Sequence, residues 1–339
     1  MKLLIITQKV DLKDDVLGFF HRWLELFSQE VEELFVITQF LGAHDLPQNT
    51  ILVSLGKERG WSKWRQLLYF WKYVAKYTKE ADAVFVHMVP LWVNFGIPFY
   101  FLYRKPVYLW YIHPRKDWMY RLARMFVKKV FTAVRSEGYD KKLTEVGHGI
   151  DIELFTPRAR KLPDRKRIIT VGRIAPIKKY LEMLFAVEYL INNLGFQDIR
   201  FDFIGTSSSR EDILYYRQLQ EFIQKRKLDG FINFLGKVSF NKIQGVYHSA
   251  DLLLNFTPSG SFDKTVLEAM SSNIPVLVAS PLFTNVLSSR FVIVDINNKE
   301  MISFNIKNIL ENKPRLDFRK KIEQYHNLYI LIPRLIKEM

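Results

Sequence analysis

The stretch Leu252-Leu253-Leu254-Asn255-Phe256-Thr257-Pro258-Ser259-Gly260-Ser261-Phe262-Asp263-Lys264-Thr265-Val266-Leu267-Glu268-Ala269-Met270-Ser271-Ser272-Asn273-Ile274-Pro275-Val276-Leu277-Val278-Ala279-Ser280 decides the fold class. Leu252–Asn255 is a short unbroken apolar run closed by turn residues, the pattern of a strand buried on both faces. Helical spacing follows over Thr265–Ser272, and Pro275–Ala279 reads as a second strand. A strand, a crossover helix and another strand make a parallel α/β unit. Between the first strand and the helix, which begins near Asp263–Thr265, lies a loop of small residues. Its N–H groups and hydroxyls collect at a helix N-terminus, a ready site for an anion. Glu268 falls in the first turn or so of that helix, where a carboxylate can reach the loop or simply favour the helix dipole.

The same alternation continues to both ends of the chain. Immediately before it, strands at Arg167–Val171, Arg200–Ile204 and Phe231–Leu235 alternate with helices at Lys178–Asn192, Ile213–Arg226 and Phe240–His248, and after it Met301–Glu311 adds another helix. Upstream, strands at Lys2–Thr7, Glu33–Thr38, Ile51–Leu55, Ala83–His87, Val107–Ile112, Lys129–Ala133 and Thr144–Val146 alternate with helices near Leu17–Phe27, Trp61–Tyr77, Leu91–Tyr103 and Trp118–Val127. Two glycines, Gly147 and Gly149, then Pro157 and a charged, Pro-containing run over 158–167 punctuate the middle. The expected organisation is therefore an α/β domain over 1–155, a second over 156–316, and a helical tail over 317–339. Ligands of such sheets bind beyond the carboxyl ends of the strands, and with two facing domains the natural site is the cleft.

With 339 residues, 48% hydrophobic and 25% charged, the chain can bury two cores, and bulk disorder is excluded. The absence of cysteine excludes disulfides, thiolate metal sites and a cysteine nucleophile. The N-terminal apolar run is too short for a signal-peptide core and reads as a strand. The apolar region 83–111 contains Pro90, Pro98, His87 and Asn94 and does not read as a membrane span.

Net charge is +15 and uneven. Residues 1–55 hold 4 basic and 8 acidic residues, 56–79 hold 7 and 1, and 104–142 hold 11 and 3. In the first basic block, Trp61, Trp64, Leu68 and Trp71 recur at helical spacing among lysines and arginines. Three readings are open for this helix: packing on its own sheet, an anionic membrane surface, where each Lys or Arg contributes about 1 kcal/mol, and nucleic acid.

A second informative loop is Ile168-Ile169-Thr170-Val171-Gly172-Arg173-Ile174-Ala175-Pro176-Ile177-Lys178-Lys179, which runs from a strand through a glycine into a helix. Gly172 permits close backbone approach, and Arg173 and Lys178 offer a fork and a point charge to phosphate oxygens. These loops together carry a resemblance. Val171-Gly172-Arg173 with Lys178, then Pro258-Ser259, Phe262, Leu267-Glu268-Ala269-Met270 and Pro275-Val276, resemble the donor-binding domain of retaining GT-B glycosyltransferases, specifically glycosyltransferase family 4. Phe234-Leu235-Gly236-Lys237-Val238, Ser249-Ala250-Asp251 and Gly149-Ile150-Asp151 fit the same pattern.

The resemblance implies a GT-B architecture, two Rossmann-like domains facing across a cleft, the first binding acceptor and the second a nucleotide-sugar donor. The tail is expected to pack back on the first domain. The implied activity is hexosyl-type transfer to an acceptor hydroxyl with retention, in cell-surface polysaccharide or glycolipid synthesis. Arg173 and Lys178 would grip the diphosphate, Gly172 would line it, and Glu268 would accept from the ribose. Ser261, Phe262, Asp263, Lys264 and Thr265 would meet the β-phosphate and sugar, and Lys237 and Val238 would face the base. In the first domain Gly18 would lie against the phosphates, His113 would touch the donor sugar, and His87 would lie nearby on the acceptor side; both histidines also read as strand-end residues satisfied locally.

Two positions depart from the family. The first acid of its spaced pair falls on Gly260, and the glycine after the phosphate lysine is Lys179. With no Asp-x-Asp in the chain, neither metal nor cofactor is expected, and cations and helix amides take the metal's role. The expected partners are the nucleotide sugar, a glycan or glycolipid acceptor and an anionic membrane surface, in a cytoplasmic setting peripheral to the inner face of the plasma membrane; nucleic acid is not expected. Gly260 motivates the alternative of a non-catalytic glycosyltransferase-like binding subunit, and the charge alone that of a basic nucleic-acid-binding protein. No Gly-x-Gly-x-x-Gly follows a strand, which disfavours a dinucleotide-dependent oxidoreductase.

Overall fold

Residues 1–113, 117–133, 141–158, 165–258, 262–312 and 317–339 are described in a computed structural model. They form two units, each built on its own parallel sheet: Met1–Asp151 with Ser239–Asn241 and Tyr325–Met339, and Ile152–Val238 with Lys242–Gln324.

The first unit contains β1 (Lys2–Val10), α1 (Phe19–Glu30), β2 (Glu33–Leu41), β3 (Thr50–Ser54), α2 (Lys63–Glu80), β4 (Ala83–His87), α3 (Pro90–Leu102), β5 (Val107–Trp110), α4 (Trp118–Phe126), β6 (Lys129–Thr132) and β7 (Leu143–Glu145). Its sheet order is β3-β2-β1-β4-β5-β6-β7. Both faces are covered, so the strands are apolar on both sides. Leu3, Ile5, Leu34 and Val36 pack toward α1, while Leu4, Ile6, Phe35 and Ile37 pack toward α2, α3 and α4. The winding direction reverses between β1 and β4, which places the loop after β1 and the end of β4 at a switch point.

The second unit follows with β8 (Lys166–Val171), α5 (Tyr180–Asn192), β9 (Ile199–Ile204), α6 (Arg210–Lys225), β10 (Ile232–Phe234), α7 (Phe240–His248), β11 (Leu252–Asn255), α8 (Lys264–Ser271), β12 (Val276–Val278), α9 (Lys299–Asn312) and α10 (Phe318–Tyr325). Its order is β10-β9-β8-β11-β12, with the switch point between β8 and β11. Leu252 pairs with Ile168 and Leu253 with Ile169. The two loops singled out from sequence therefore leave neighbouring strands at the one place where the sheet opens a crevice. Beside them the Gly205 N–H donates to the Gly236 carbonyl at 2.8 Å, and the Gly172 N–H to the Ile204 carbonyl at 2.9 Å. Gly172 has φ +149° and Gly205 φ +141°, and a Cβ on Gly205 would sit 1.9 Å from the Gly172 oxygen. Backbone thus contacts backbone along this edge.

The structure differs from expectation at three places. The helix expected over Lys178–Asn192 breaks at Lys179, which is left-handed (φ +56°) between a 3₁₀ turn at Pro176–Lys178 and α5. That backbone explains why the resembled family places glycine there. The tail, expected as one helical stretch, divides into α10 and α11 (Leu328–Glu338), because the Asn327 side chain accepts from the Tyr329 N–H and starts a new helix. The units part after Asp151, earlier than the expected break after 155, and of the run 158–167 residues 159–164 lie outside the described residues. Helix α11 belongs to the first unit: Leu328, Leu331, Ile332 and Leu335 are buried in its core, the Tyr108 hydroxyl donates to the Met339 carbonyl, and Lys129 pairs with Glu338.

Gly205→Ala is expected to cost about 2–4 kcal/mol through its backbone collision, whereas Gly195→Ala, left-handed but facing open space, costs about 1 kcal/mol. Denaturant unfolding of the two variants checks the ordering, and equal costs contradict it. Ile332→Ala is expected to cost about 2–5 kcal/mol, read in the same assay.

Candidate functional site

In the second unit the candidate side chains sit on the loops after β8 and β11. Lys178 ends the 3₁₀ turn, and its ammonium donates to Asp263 Oδ2 at 2.6 Å and to Thr257 Oγ1 at 3.1 Å. The same carboxylate oxygen accepts from Asn255 Nδ2 and from Thr257 Oγ1, each at 2.8 Å. Asp263 is the N-cap residue of α8, yet its side chain makes no capping bond. The cation, the carboxylate and the positive end of a helix dipole therefore meet at one point. In the sequence Lys178 stands out for its charge and Asp263 for its amide; the pairing of their side chains across 85 residues has no local signal.

Arg173 is more than half exposed, with Nε 3.7 Å from Asp212 Oδ2. Asp212 closes a capping box with Ser209 at the start of α6. Burial pushes its carboxyl up, but hydrogen bonds from Ser209 and Ser208 and the nearby Arg173 guanidinium outweigh that and hold it below the usual carboxylate range. The Tyr180 hydroxyl lies 3.3 Å from the carbonyls of both Gly172 and Arg173 and steadies the turn.

Glu268 is 5% exposed on α8. The Tyr247 hydroxyl, on α7, donates to its Oε2 at 2.8 Å. Burial pushes the Glu268 carboxyl up to about 7, against the opposing pull of Lys264 and of the Tyr247 hydrogen bond. Such a group exchanges its proton near neutral pH when a ligand changes its surroundings. Tyr247 was not anticipated. Phe262 stacks on Phe283 with ring centroids 4.4 Å apart, and the Thr265 hydroxyl is buried with no hydrogen-bond partner among the described residues. Lys237 is exposed and Val238 half-buried in the loop after β10, next to Gly236. Ser261, with Ser259 and Gly260, lies outside the described residues.

In the first unit Gly18 caps α1 with helical φ −54°, so the demand for glycine there is steric: a Cβ would lie 2.4 Å from the Asp14 carbonyl. Asp14 Oδ1 accepts from the N–H groups of Val16 and Leu17 at 2.9 and 2.6 Å and shapes the loop between β1 and α1. His113 is exposed beyond the end of β5, its ring 6.3 Å from that of Tyr111. His87 is 2% exposed, stacked on Phe20 at 3.9 Å with Nδ1 3.2 Å from Thr7 Oγ1. Its imidazole is packed into the core at the end of β4 rather than open toward an acceptor. No group of three or more His, Asp or Glu residues that could hold a metal occurs among the described residues.

These arrangements can be set against known proteins. Over 96 residues the chain is 32% identical to the O-antigen chain mannosyltransferase RfbU of Salmonella typhimurium, covering 28% of this chain and 27% of that protein. Over 149 residues it is 26% identical to the UDP-Gal:alpha-D-GlcNAc-diphosphoundecaprenol alpha-1,3-galactosyltransferase of Escherichia coli, covering 41% of this chain and 37% of that one. The alignments thus span about a quarter to just over a third of these relatives' lengths. Among solved structures, Anabaena Alr3699/HepE in complex with UDP and glucose matches with a TM-score of 0.76 at 14% identity, covering 100% of this chain and 99% of that chain. At that identity the likeness is one of fold, two parallel-sheet α/β domains of the GT-B class. The sequence matches the family described as Glycosyl transferases group 1 over residues 151–327, more than half of the chain. The chain belongs to the glycosyl transferases group 1 family.

Proposed function

We propose that this protein transfers a sugar from a nucleoside-diphosphate donor to an acceptor hydroxyl with retention of anomeric configuration, as in glycosyltransferase family 4, during synthesis of a cell-surface polysaccharide or glycolipid. The observation that carries this reading is the convergence of Lys178 on the N-terminus of α8, where Asp263 already holds a negative oxygen between an ammonium, an amide and a hydroxyl. A diphosphate offers the same kind of oxygen. The names of the relatives, a mannosyltransferase of O-antigen and a UDP-galactose-dependent transferase, and the UDP bound to the Anabaena structure, support a sugar nucleotide as donor and a glycan as acceptor.

Breaking the anomeric C–O bond leaves negative charge on the β-phosphate. Lys178, Arg173 and the amides at the start of α8 are fixed donors for that charge, and such groups lower the barrier because the charge is largest in the transition state. The departing phosphate then takes the proton of the acceptor hydroxyl on the face it leaves, which yields retention. His113 would lie against the donor sugar, Lys237 and Val238 against the base, and Glu268 would accept from the ribose. Gly260, which removes the family's first acid, supports a second reading, a nucleotide-binding subunit without turnover.

Arg173→Ala and Lys178→Ala are each expected to lower transfer by about 10²–10³-fold; unchanged rates refute the assignment. Donor hydrolysis measured across a panel of nucleotide sugars separates the two readings, since binding without turnover for every donor selects the second. Ribose hydroxyls donate to an ionised Glu268, so nucleotide binding should favour loss of its proton. Its carboxyl is raised to about 7; affinity for UDP should therefore fall as pH drops below about 7, by up to tenfold per unit. Calorimetry from pH 5.5 to 8 tests this, and Glu268→Gln should flatten the profile.

A further inference from the structure

The basic aromatic helix finds no use in donor chemistry, and its placement is unusual. Helix α2 buries Phe70, Val74 and Tyr77 against the sheet. It leaves a different stripe in solvent: Trp64 is 77% exposed, Leu68 62% and Trp71 39%, at spacings of four and three residues. Trp61, expected as part of that stripe, precedes the helix and is covered by the guanidinium of Arg65 at 3.9 Å. The neighbouring helices continue the pattern. Trp71 Nε1 donates to the Phe95 carbonyl of α3, and Asn94 of α3 donates to the Met119 carbonyl of α4. At the end of α3, Phe101 is 85% and Leu102 67% exposed, and Trp118 opens α4 at 69%.

These three helices form the layer on one face of the first unit's sheet. Apolar exposure of this kind, gathered on one layer, marks a contact surface rather than ordinary solvent-facing helix. The charges beside it choose the partner. Lys63, Arg65, Lys72, Lys76 and Lys79 are exposed on α2 against one acid, Glu80, and Arg104, Lys105, Arg121 and Lys128 follow on α3's exit and around α4. Large aromatics amid lysine and arginine suit the boundary between lipid headgroups and acyl chains, where rings insert shallowly and cations meet anionic headgroups. A nucleic acid would use the charge but leave the aliphatic side chains in water. Among the described residues no helix is long and apolar enough to cross a membrane, so the contact is lateral.

We infer that the α2–α3–α4 layer of the first unit is a docking surface for an anionic lipid bilayer, with Trp64, Leu68, Phe101 and Trp118 entering the interface and the flanking lysines and arginines holding headgroups. This requires nothing of the donor site, so UDP affinity measured without vesicles in the same preparations keeps the two questions separate.

The test is co-sedimentation of the intact protein with vesicles of phosphatidylcholine alone and of phosphatidylcholine with phosphatidylglycerol. At least tenfold tighter binding to the anionic vesicles is expected, weakening with salt. Trp64→Ser/Leu68→Ser and Lys72→Glu/Lys76→Glu should each lower it tenfold or more, while Lys225→Glu/Lys227→Glu in the second unit leaves it within twofold. Insertion is read on the unaltered protein by quenching of tryptophan emission with brominated lipids, and Trp64→Phe and Trp118→Phe should remove most of that quenching. Equal binding to both vesicle types, no binding, or binding without quenching overturns the inference. So does retention of full binding by both α2 variants. Equally tight binding of a short DNA duplex without quenching would assign the face to nucleic acid instead.

Discussion

Lys178, Asn255 and Thr257 all donate to the same oxygen of Asp263 or lie within hydrogen-bond reach of it through each other. A carboxylate at a helix N-cap ordinarily bonds the amides of its own first turn; this one is turned to its neighbours. The loop after β8 is thereby fastened to the loop after β11 by charge as well as by strand pairing. The lysine does not hang in solvent but is held by a counter-charge, which a phosphate oxygen of the proposed donor would share or replace. Orientation of the cation is set before a ligand arrives, which reduces the ordering that binding must impose.

The same helix carries a second, withheld charge. Glu268 is buried on α8 with Tyr247 as its donor, and burial raises its carboxyl to about 7. Near α8 the second unit thus combines a charged Lys178–Asp263 pair with a buried carboxyl raised to about 7. At the carboxyl ends of β8, β9 and β10, Gly172, Gly205 and Gly236 have positive φ and leave backbone without a side chain there.

Both sheets were legible in the sequence because strands buried on two faces leave unbroken apolar runs; Leu252–Asn255 and Ala83–His87 are observed with the bounds expected of them. The loops were legible because parallel strands place chemistry at their carboxyl ends. What escaped depended on tertiary neighbours. The break at Lys179 is invisible locally, since lysine gives no sign of a left-handed backbone. On α2 the helical period was evident, but two apolar stripes compete for the sheet, and only packing decides that Phe70, Val74 and Tyr77 are buried while Trp64 and Leu68 are not. The Tyr247–Glu268 and Lys178–Asp263 pairs join residues whose own surroundings in sequence say nothing of each other.

The docking of α11 into the first unit has a bearing on how the protein comes into being. The Ile150 N–H donates to the His326 carbonyl and the Leu328 N–H donates to the Ile150 carbonyl, and four apolar side chains of α11 complete a core begun by β1. The ribosome releases β1 first and α11 only after the whole second unit. The first unit must therefore wait, with an apolar groove beside α1 open to solvent, while the second unit is made and folds. Such an interval is when a nascent chain is most prone to association or chaperone capture. The order of synthesis and the order of completion run in opposite directions, and the second unit, though later in sequence, is the first that can finish.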